Sequence, residues 1–447
     1  ANYVDLINNT TKKTGADGLD DRTGTSNVIN GAFLSTSSSF WGTTQDGGKV
    51  ALGGVGEKLL TRSNARNIYT NKDTTQADLT LGANPFNTTN ITKDDLDLTS
   101  DSDRDKLVNF IIGFDAYDDN SNSNTTEKRE WIMGDVLHSK PLVVNYNRYT
   151  FDTTNEANCD VNKTMIFVGT NDGMLHAFKD CDDSEAWAFI PKDLLKYLQY
   201  VHSDKHAYLV DSSAFSYVYD QNKNGVIESG DQVLLLIGMR RGGGTEAVPT
   251  KGYYYVLDVT DPAVPKFLWS INNSQTSFSE LAEAWSDPKI VKVKTGSSTY
   301  KVAAVFGGGY DNPNEDLRYG ATQSFPAVDS TTGSVPVAAS TGAGAITSAG
   351  ASAQTSPKGR GIFMLDMATG NKIWSYTWGS TNTATTNTAM TFSVASEVAA
   401  LDTNARGYID RLYAVDTGGS LWRFDVGTSN ISTWSGRKVF SSNPGLG

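Results

Sequence analysis

The string Asp220-Gln-Asn-Lys-Asn-Gly-Val-Ile-Glu-Ser-Gly-Asp231 places oxygen-bearing residues at a spacing that can wrap one hard cation. Calcium takes about six to eight oxygen ligands at roughly 2.3–2.6 Å, and a loop of about 12 residues supplies them from positions 1, 3, 5, 7, 9 and 12. Here those positions are Asp220, Asn222, Asn224, Val226 through its backbone carbonyl, Glu228 and Asp231. Gly225 permits the sharp turn at position 6, and Lys223 falls at an outward position. Ca2+ is the expected ion. Asp231 is shorter than the Glu usual at position 12, which leaves bidentate closure open there and lets Glu228 bind directly. The bland alternative is an Asx-rich turn that holds no ion.

Two strands must position this loop. Phe215-Ser-Tyr-Val-Tyr219 before it and Gln232-Val-Leu-Leu-Leu-Ile237 after it read as β-strands, so the loop is EF-hand-like in its ligands only. Asp402-Thr-Asn-Ala-Arg-Gly-Tyr-Ile-Asp410 echoes it, but Arg406 at the fifth position cannot ligate a cation, and the string reads as a solvated turn. Asp311-Asn-Pro-Asn-Glu-Asp316 reads as an acidic loop. Of the four histidines, only His202 and His206 stand at i, i+4, with no Glu between them for a hydrolytic zinc site, so all four read as core or surface residues. A Gly-x-Ser-x-Gly elbow and a phosphate-binding Gly-Lys-Ser/Thr loop are both absent from the sequence, and no enzyme is expected.

Composition narrows the setting. The formal net charge of -12 opposes contact with a phosphate backbone or an anionic membrane surface, so nucleic acid is an unpromising partner. No apolar run long enough for a membrane span occurs, and no charged-then-apolar leader opens the chain, which predicts that it begins inside a longer precursor or after processing. Cys159 and Cys181 bracket Thr164 to Phe178, which reads as two strands and a tight turn. In an acidic, Asn- and Thr-rich, Cys-poor chain of exported character, a disulfide closing that hairpin is expected, the alternative being two free thiols.

The remaining organisation is a repeat. Residues 1 to about 100 are Asn-, Thr-, Ser- and Gly-rich and predict a loop-rich region, extending to 130, that packs on the body that follows. Leu107, Phe110, Ile111 and Phe114 predict one short helix, and Lys192 to His202 another. From residue 131 to 447, strand units recur. Ile362 to Trp374 reads as strand, Asp-x-x-x-Gly turn and strand, with relatives at Met174 to Trp187, Tyr253 to Trp269 and Leu412 to Trp422. Each unit leaves an aromatic-rich face that only a neighbour can cover, as in a propeller blade. Residues 321–357, almost all Ala, Ser, Thr, Gly and Val, read as a flexible insertion within a blade.

At the blade level these units resemble quinoprotein dehydrogenase propellers. The longer strings Gly134-Asp-Val-Leu-His-Ser-Lys-Pro141, Val168-Gly-Thr-Asn-Asp-Gly-Met-Leu-His-Ala-Phe178, Trp187-Ala-Phe-Ile-Pro191, Arg241-Gly-Gly243, Gly307-Gly-Gly-Tyr-Asp311 and Asp416-Thr-Gly-Gly-Ser-Leu-Trp-Arg-Phe-Asp425 resemble, in that order, the signature of the PilC/PilY family. The resemblance covers roughly residues 130 to 440. It implies an all-β, modified seven-bladed β-propeller with a calcium loop between blades. It further implies an exported protein at the pilus tip, cell surface or outer membrane, which meets type IV pilus subunits or minor pilins and the host cell surface. Calcium there opposes pilus retraction and supports twitching motility and adhesion. Two other classes compete. A quinoprotein dehydrogenase would use adjacent cysteines, whereas Cys159 and Cys181 lie far apart in sequence. A calcium-independent interaction propeller would lack the ion.

Overall fold

The computed structural model describes residues 53–148, 157–203, 206–244, 250–312, 357–382, 385–387 and 389–442. It also describes two short strand pairs, β1 (Ile7–Asn8) with β2 (Lys12–Lys13) and β3 (Val28–Ile29) with β4 (Ala32–Phe33). The expected insertion at 321–357 lies outside the described residues except at its last position. No described helix is long and apolar enough to cross a membrane. The chain divides into two compact units, and the candidate site lies in the first of them, formed by Ala1–Ala207, Val218–Val233 and Asp258–Phe267.

Within the first unit the described part of the polar N-terminal region, from residue 53 on, holds more regular structure than its composition suggests. Helix α1 (Gly54–Thr61) is followed by strand β5 (Ile68–Thr70) and helix α2 (Asp101–Ile112). The Ser100 hydroxyl caps α2 by accepting the Asp103 N–H, and Leu107, Val108, Phe110 and Ile111 form its buried face. The expected helix is therefore present, with Phe114 just beyond its end. Strand β5 pairs in parallel with β9 (Glu185–Ile190), Ile68 opposite Ala188. The region before residue 130 thus adds a strand to a blade instead of supplying only loops.

That blade is a five-stranded sheet in the order β5-β9-β8-β7-β6, with β6 at Leu142–Asn145, β7 at Thr164–Gly169 and β8 at Leu175–Lys179. Phe167, Leu175, Ala177, Ala188 and Phe189 are fully buried, so the central strands carry near-continuous apolar runs. Cys159 precedes β7, Cys181 follows β8, and the two are bonded with their Cα atoms 5.2 Å apart. The bridge closes the β7–β8 hairpin as the sequence predicts. Replacing both cysteines by Ala should lower stability by about 3 kcal/mol for a loop of this length. Urea unfolding of the double variant measures it, and an unchanged midpoint would refute a stabilising role.

The short helix expected over Lys192 to His202 is present at Lys192–Tyr200, and it is a 3-10 helix. The Leu194 N–H bonds back to the Pro191 carbonyl, three residues earlier, and Leu194, Leu195, Tyr197 and Leu198 are buried.

Three four-stranded sheets follow, each with its strands adjacent in chain order. The first is β10 (Ala214–Tyr219), β11 (Gln232–Gly238), β12 (Tyr254–Asp258) and β13 (Lys266–Ile271). The second is β14 (Lys289–Lys294), β15 (Tyr300–Gly307), β16 (Gly361–Asp366) and β17 (Lys372–Thr377). After the short pair β18 (Thr381–Asn382) and β19 (Thr385–Thr386) come β20 (Ala399–Leu401), β21 (Arg411–Val415), β22 (Ser420–Asp425) and β23 (Ser435–Ser441). The fold is all-β and propeller-like in its repeating unit. Four blade-sized sheets lie among the described residues, against seven in the expected propeller.

The tryptophan repeat is real, with one correction. Trp187, Trp269 and Trp374 stand on the fourth strands β9, β13 and β17 and are buried. The indole N–H of Trp187 donates to the Pro262 carbonyl at 2.8 Å, and that of Trp269 to the Met367 carbonyl at 2.9 Å. Both acceptors lie in a turn between a third and a fourth strand, so these two indoles are tied to turns of the same kind, whereas the buried Trp374 indole N–H has no acceptor among the described residues. Leu412 to Trp422, however, is the β21–β22 hairpin of second and third strands. The true fourth member is Trp434, buried just before β23 and packed edge-on to Trp374 at 5.9 Å. The Asp416-Thr-Gly-Gly turn imitates the spacing because it, too, joins an Asp-ended strand to a Trp-bearing one.

Candidate metal site

The loop between β10 and β11 holds the expected ligands on a defined backbone frame. Lys223 and Gly225, the fourth and sixth residues, are left-handed at φ 57° and 77°. Asp220 accepts the N–H groups of Asn224 at 3.3 Å and Gly225 at 2.8 Å. Asn222 accepts the Asn224 N–H at 3.0 Å, and Asn224 accepts the Val226 N–H at 2.7 Å. Each of these oxygens retains a lone pair for a cation. Glu228 is drawn in by the amide nitrogens of Asn222 at 2.5 Å and Asn224 at 3.3 Å.

Asp231 has a different place. Its two oxygens accept the Gln221 N–H at 2.8 Å and the Glu228 N–H at 2.9 Å, which staples the end of the loop to its start. The structure brings Asp220, Asn222, Asn224 and Glu228 together, while the carboxylates of Asp220, Glu228 and Asp231 do not all converge within 4.8 Å. Like charges repel, and each carboxylate is held by its own N–H donors. The loop is braced from the β6 side. The Ile227 N–H donates to the Tyr146 carbonyl at 3.0 Å, the Tyr146 hydroxyl donates to the Val259 carbonyl at 2.7 Å, and the Arg148 guanidinium donates to the Asn224 carbonyl. The donor set is all oxygen, hard and partly anionic, and it fits calcium better than zinc or copper.

The same frame recurs in a string that the sequence analysis does not single out. In Asp118-Asp-Asn-Ser-Asn-Ser-Asn-Thr-Thr-Glu127, Ser121 and Ser123 are left-handed at φ 58° and 67°. Asp118 accepts the Ser123 N–H at 2.9 Å, and Glu127 receives the amides of Asn120 at 2.7 Å and Asn122 at 2.6 Å. The Asp402 loop shares it as well, with Ala405 and Gly407 left-handed and the Gly407 N–H on Asp402 at 2.6 Å. Arg406 reaches 3.5 Å from the Tyr408 hydroxyl and supplies no oxygen, as its sequence position implies. The alternation Asp-x-Asn-x-Asn at 118–122 was the available signal. It lacks the Gly at position 6, which Ser123 replaces in the same backbone conformation.

A second cluster was not legible in sequence. His176, fully buried, is 2.8 Å from Glu185 through Nδ1 and 3.3 Å from Asp172 through Nε2. Arg66 makes a bidentate pair with Glu185 at 2.6 and 2.7 Å. Burial alone would lower the His176 pKa, but Asp172 and Glu185 outweigh it and raise it to about 9, so the ring is a cation. Burial would raise Glu185, and Arg66 overrides that to hold it at about 2. His202 stacks on Tyr117 at 3.9 Å and pairs with Asp119, and His206 pairs with Asp135. Among the described residues no histidine belongs to a group of His, Cys, Asp and Glu close enough to share an ion.

No family model matches the chain. Its sequence is 32% identical over 211 residues to type IV pilus biogenesis factor PilY1 of Pseudomonas aeruginosa PAO1, covering 43% of this chain and 16% of that protein. A PilY1 homolog of Xylella fastidiosa Temecula1 is 26% identical over 355 residues, covering 74% of this chain and 20% of the relative. The chain thus spans a fifth or less of the length of these curated relatives. The crystal structure of the P. aeruginosa PilY1 C-terminal domain is 23% identical, covers 68% of this chain and 51% of that one, and has a TM-score of 0.38. With the ordered motifs between residues 134 and 425 and the sequence matches taken together, the chain is similar to type IV pilus biogenesis factors of the PilY1, or PilC/PilY, family.

Proposed function

We propose that this chain is the calcium-responsive module of a type IV pilus biogenesis factor. In this reading it is exported to the pilus tip, cell surface or outer membrane and acts without catalysis. It contacts pilus subunits or minor pilins, favours extension over retraction when calcium is bound, and so supports twitching motility and host-cell adhesion. The observation that carries the reading is the Asp220–Asp231 frame. Six candidate oxygens lie on a loop with three residues at positive φ, Lys223, Gly225 and Gly230, in a chain whose relatives are named as pilus biogenesis factors. Asp220, Asn222, Asn224, the Val226 carbonyl and Glu228 hold the ion. Asp231 closes the loop and adds charge. Bound calcium supplies a fixed divalent charge that neutralises these carboxylates. The chain's own part is to carry that ordering through Ile227 and Tyr146 into the β6 strand.

The test is made in cells that carry the substitution in the full-length protein. Asp220→Ala should leave few surface pili, because it removes a ligand and the acceptor of two loop N–H groups. Asp220→Lys places a cation near the ion's position and should restore some piliation that no longer responds to chelator. Pili sheared from the surface are counted with and without chelator. Normal, calcium-sensitive piliation in the Ala variant would refute the assignment.

A further inference from the structure

The interior around His176 has an excess of positive charge. Arg62 and Arg129 both feel the charge of Arg66, Arg66 and protonated His176 share two buried carboxylates, Asp172 and Glu185, and Asp119 also acts on Arg129. Arg66 is consumed by Glu185 and His176 by both acids. Two arginines are left over, Arg62, which donates to the Leu59 and Ile112 carbonyls, and Arg129. The Arg129 guanidinium lies 4.0 Å over the Phe110 ring and donates once, to the Ile132 carbonyl at 2.9 Å. Its Nε is buried with no acceptor, and among the described residues it pairs with no carboxylate. The nearby Asp119 carboxylate is engaged by His202 at 2.9 Å. A largely desolvated guanidinium without a paired anion is costly, and a bound anion would offset that cost.

Arg129 lines a cavity of about 380 Å³. The same walls carry Asp135, Asn171, Asp172, Tyr200 and His206, with Asp135 accepting from the Asn171 amide at 2.8 Å and paired with His206 at 3.1 Å, and Asp172 held by His176. We propose that this cavity binds a small carboxylate monoanion that carries its own hydroxyl or amine donors, of the sugar-acid or hydroxy-acid class. Arg129 takes the carboxylate through its remaining guanidinium N–H groups, and Asp135 accepts from the donors. The Asp135 carboxylate in the same cavity repels a multiply charged phosphate, which favours a monoanion. The cavity volume falls within the range of about 300–1,000 Å³ found for small-molecule sites. Gly134 and Asn171, from two of the longer sequence strings, place these groups. A Cβ at Gly134 would lie 2.5 Å from the Asp172 nitrogen, so only glycine lets the two segments close on each other.

The test is calorimetric titration of the whole chain with D-glucuronate, L-lactate, D-glucose and inorganic phosphate. Saturable binding of glucuronate or lactate is expected, with no heat from glucose and at least tenfold weaker binding of phosphate. Arg129→Gln should weaken the carboxylate about 10- to 150-fold, the loss of a charge-assisted hydrogen bond worth roughly 1.5–3 kcal/mol. Arg129→Lys, which keeps the charge without the fork, should fall between parent and Gln variant. No saturable heat from either acid overturns the proposal, as does phosphate binding as tightly, or a Gln variant that binds like the parent. Should neither variant fold, the selectivity of the parent alone decides the matter.

Discussion

Glu185→Ala is expected to destabilise the chain by about 3–5 kcal/mol, because it removes one member of a buried charge network and leaves others unpaired. Arg66 would lose both of its carboxylate bonds and His176 the bond to Nδ1. Glu185→Gln, which keeps the shape and one acceptor, should cost less. The network also sets a pH window. The His176 pKa is raised from 6.5 to about 9, so its contribution is complete below about pH 6.5 and is lost as pH rises through about 9. Glu185 is lowered from 4.5 to about 2, so its contribution is complete above about pH 4.5 and is lost as pH falls through about 2. Together they predict the greatest stabilisation between those limits. Urea unfolding from pH 4 to 10 measures it, and a His176→Leu variant that keeps the full alkaline decline would contradict the assignment.

Gly242→Ala should be comparably severe. A Cβ there would lie 1.7 Å from the Leu209 carbonyl oxygen, a backbone atom that cannot swing aside as a side chain can. We expect a loss of about 3 kcal/mol or more, at the upper end of overpacking effects. Gly309 meets the Glu283 carbonyl oxygen at 1.9 Å and should behave alike. Gly407→Ala is the control. It is left-handed at φ 79° but has no neighbour within 4 Å, so it should cost only about 1–2 kcal/mol of backbone strain. Equal urea midpoints for Gly242→Ala and Gly407→Ala would refute the packing argument. These close approaches give the Arg241-Gly-Gly243 and Gly307-Gly-Gly-Tyr-Asp311 strings a physical reason.

Features encoded by neighbours in sequence were legible, and those made by distant partners were not. The disulfide, the ligand loop between two strands and the Asp-to-Trp hairpins each lie within some two dozen residues, where spacing carries the geometry. His176 read as an ordinary histidine because Arg66, its indirect partner through Glu185, is far away in the chain. Strand β5 went unseen for a similar reason. Three residues of parallel pairing leave no alternating pattern, and their partner strand begins at Glu185. Trp434 was hidden because a longer turn, holding the 3-10 segment Ile431–Thr433, separates it from Asp425. The Asp118 loop was passed over because Ser123 stands where the expected pattern has Gly, although the backbone adopts the same left-handed turn.

The central claim, that Asp220 to Asp231 is a calcium site, is tested most directly by calorimetric titration of the purified chain with calcium, beside Asp220→Ala. The account predicts that the variant keeps the strand signature of the parent in circular dichroism and binds one fewer ion per chain over the same concentration range. Counting ions in this way isolates the loop whatever the other two loops of the same frame do. If Asp220→Ala binds as many calcium ions as the parent, and as tightly, the site is not at this loop and the proposed function loses its physical basis.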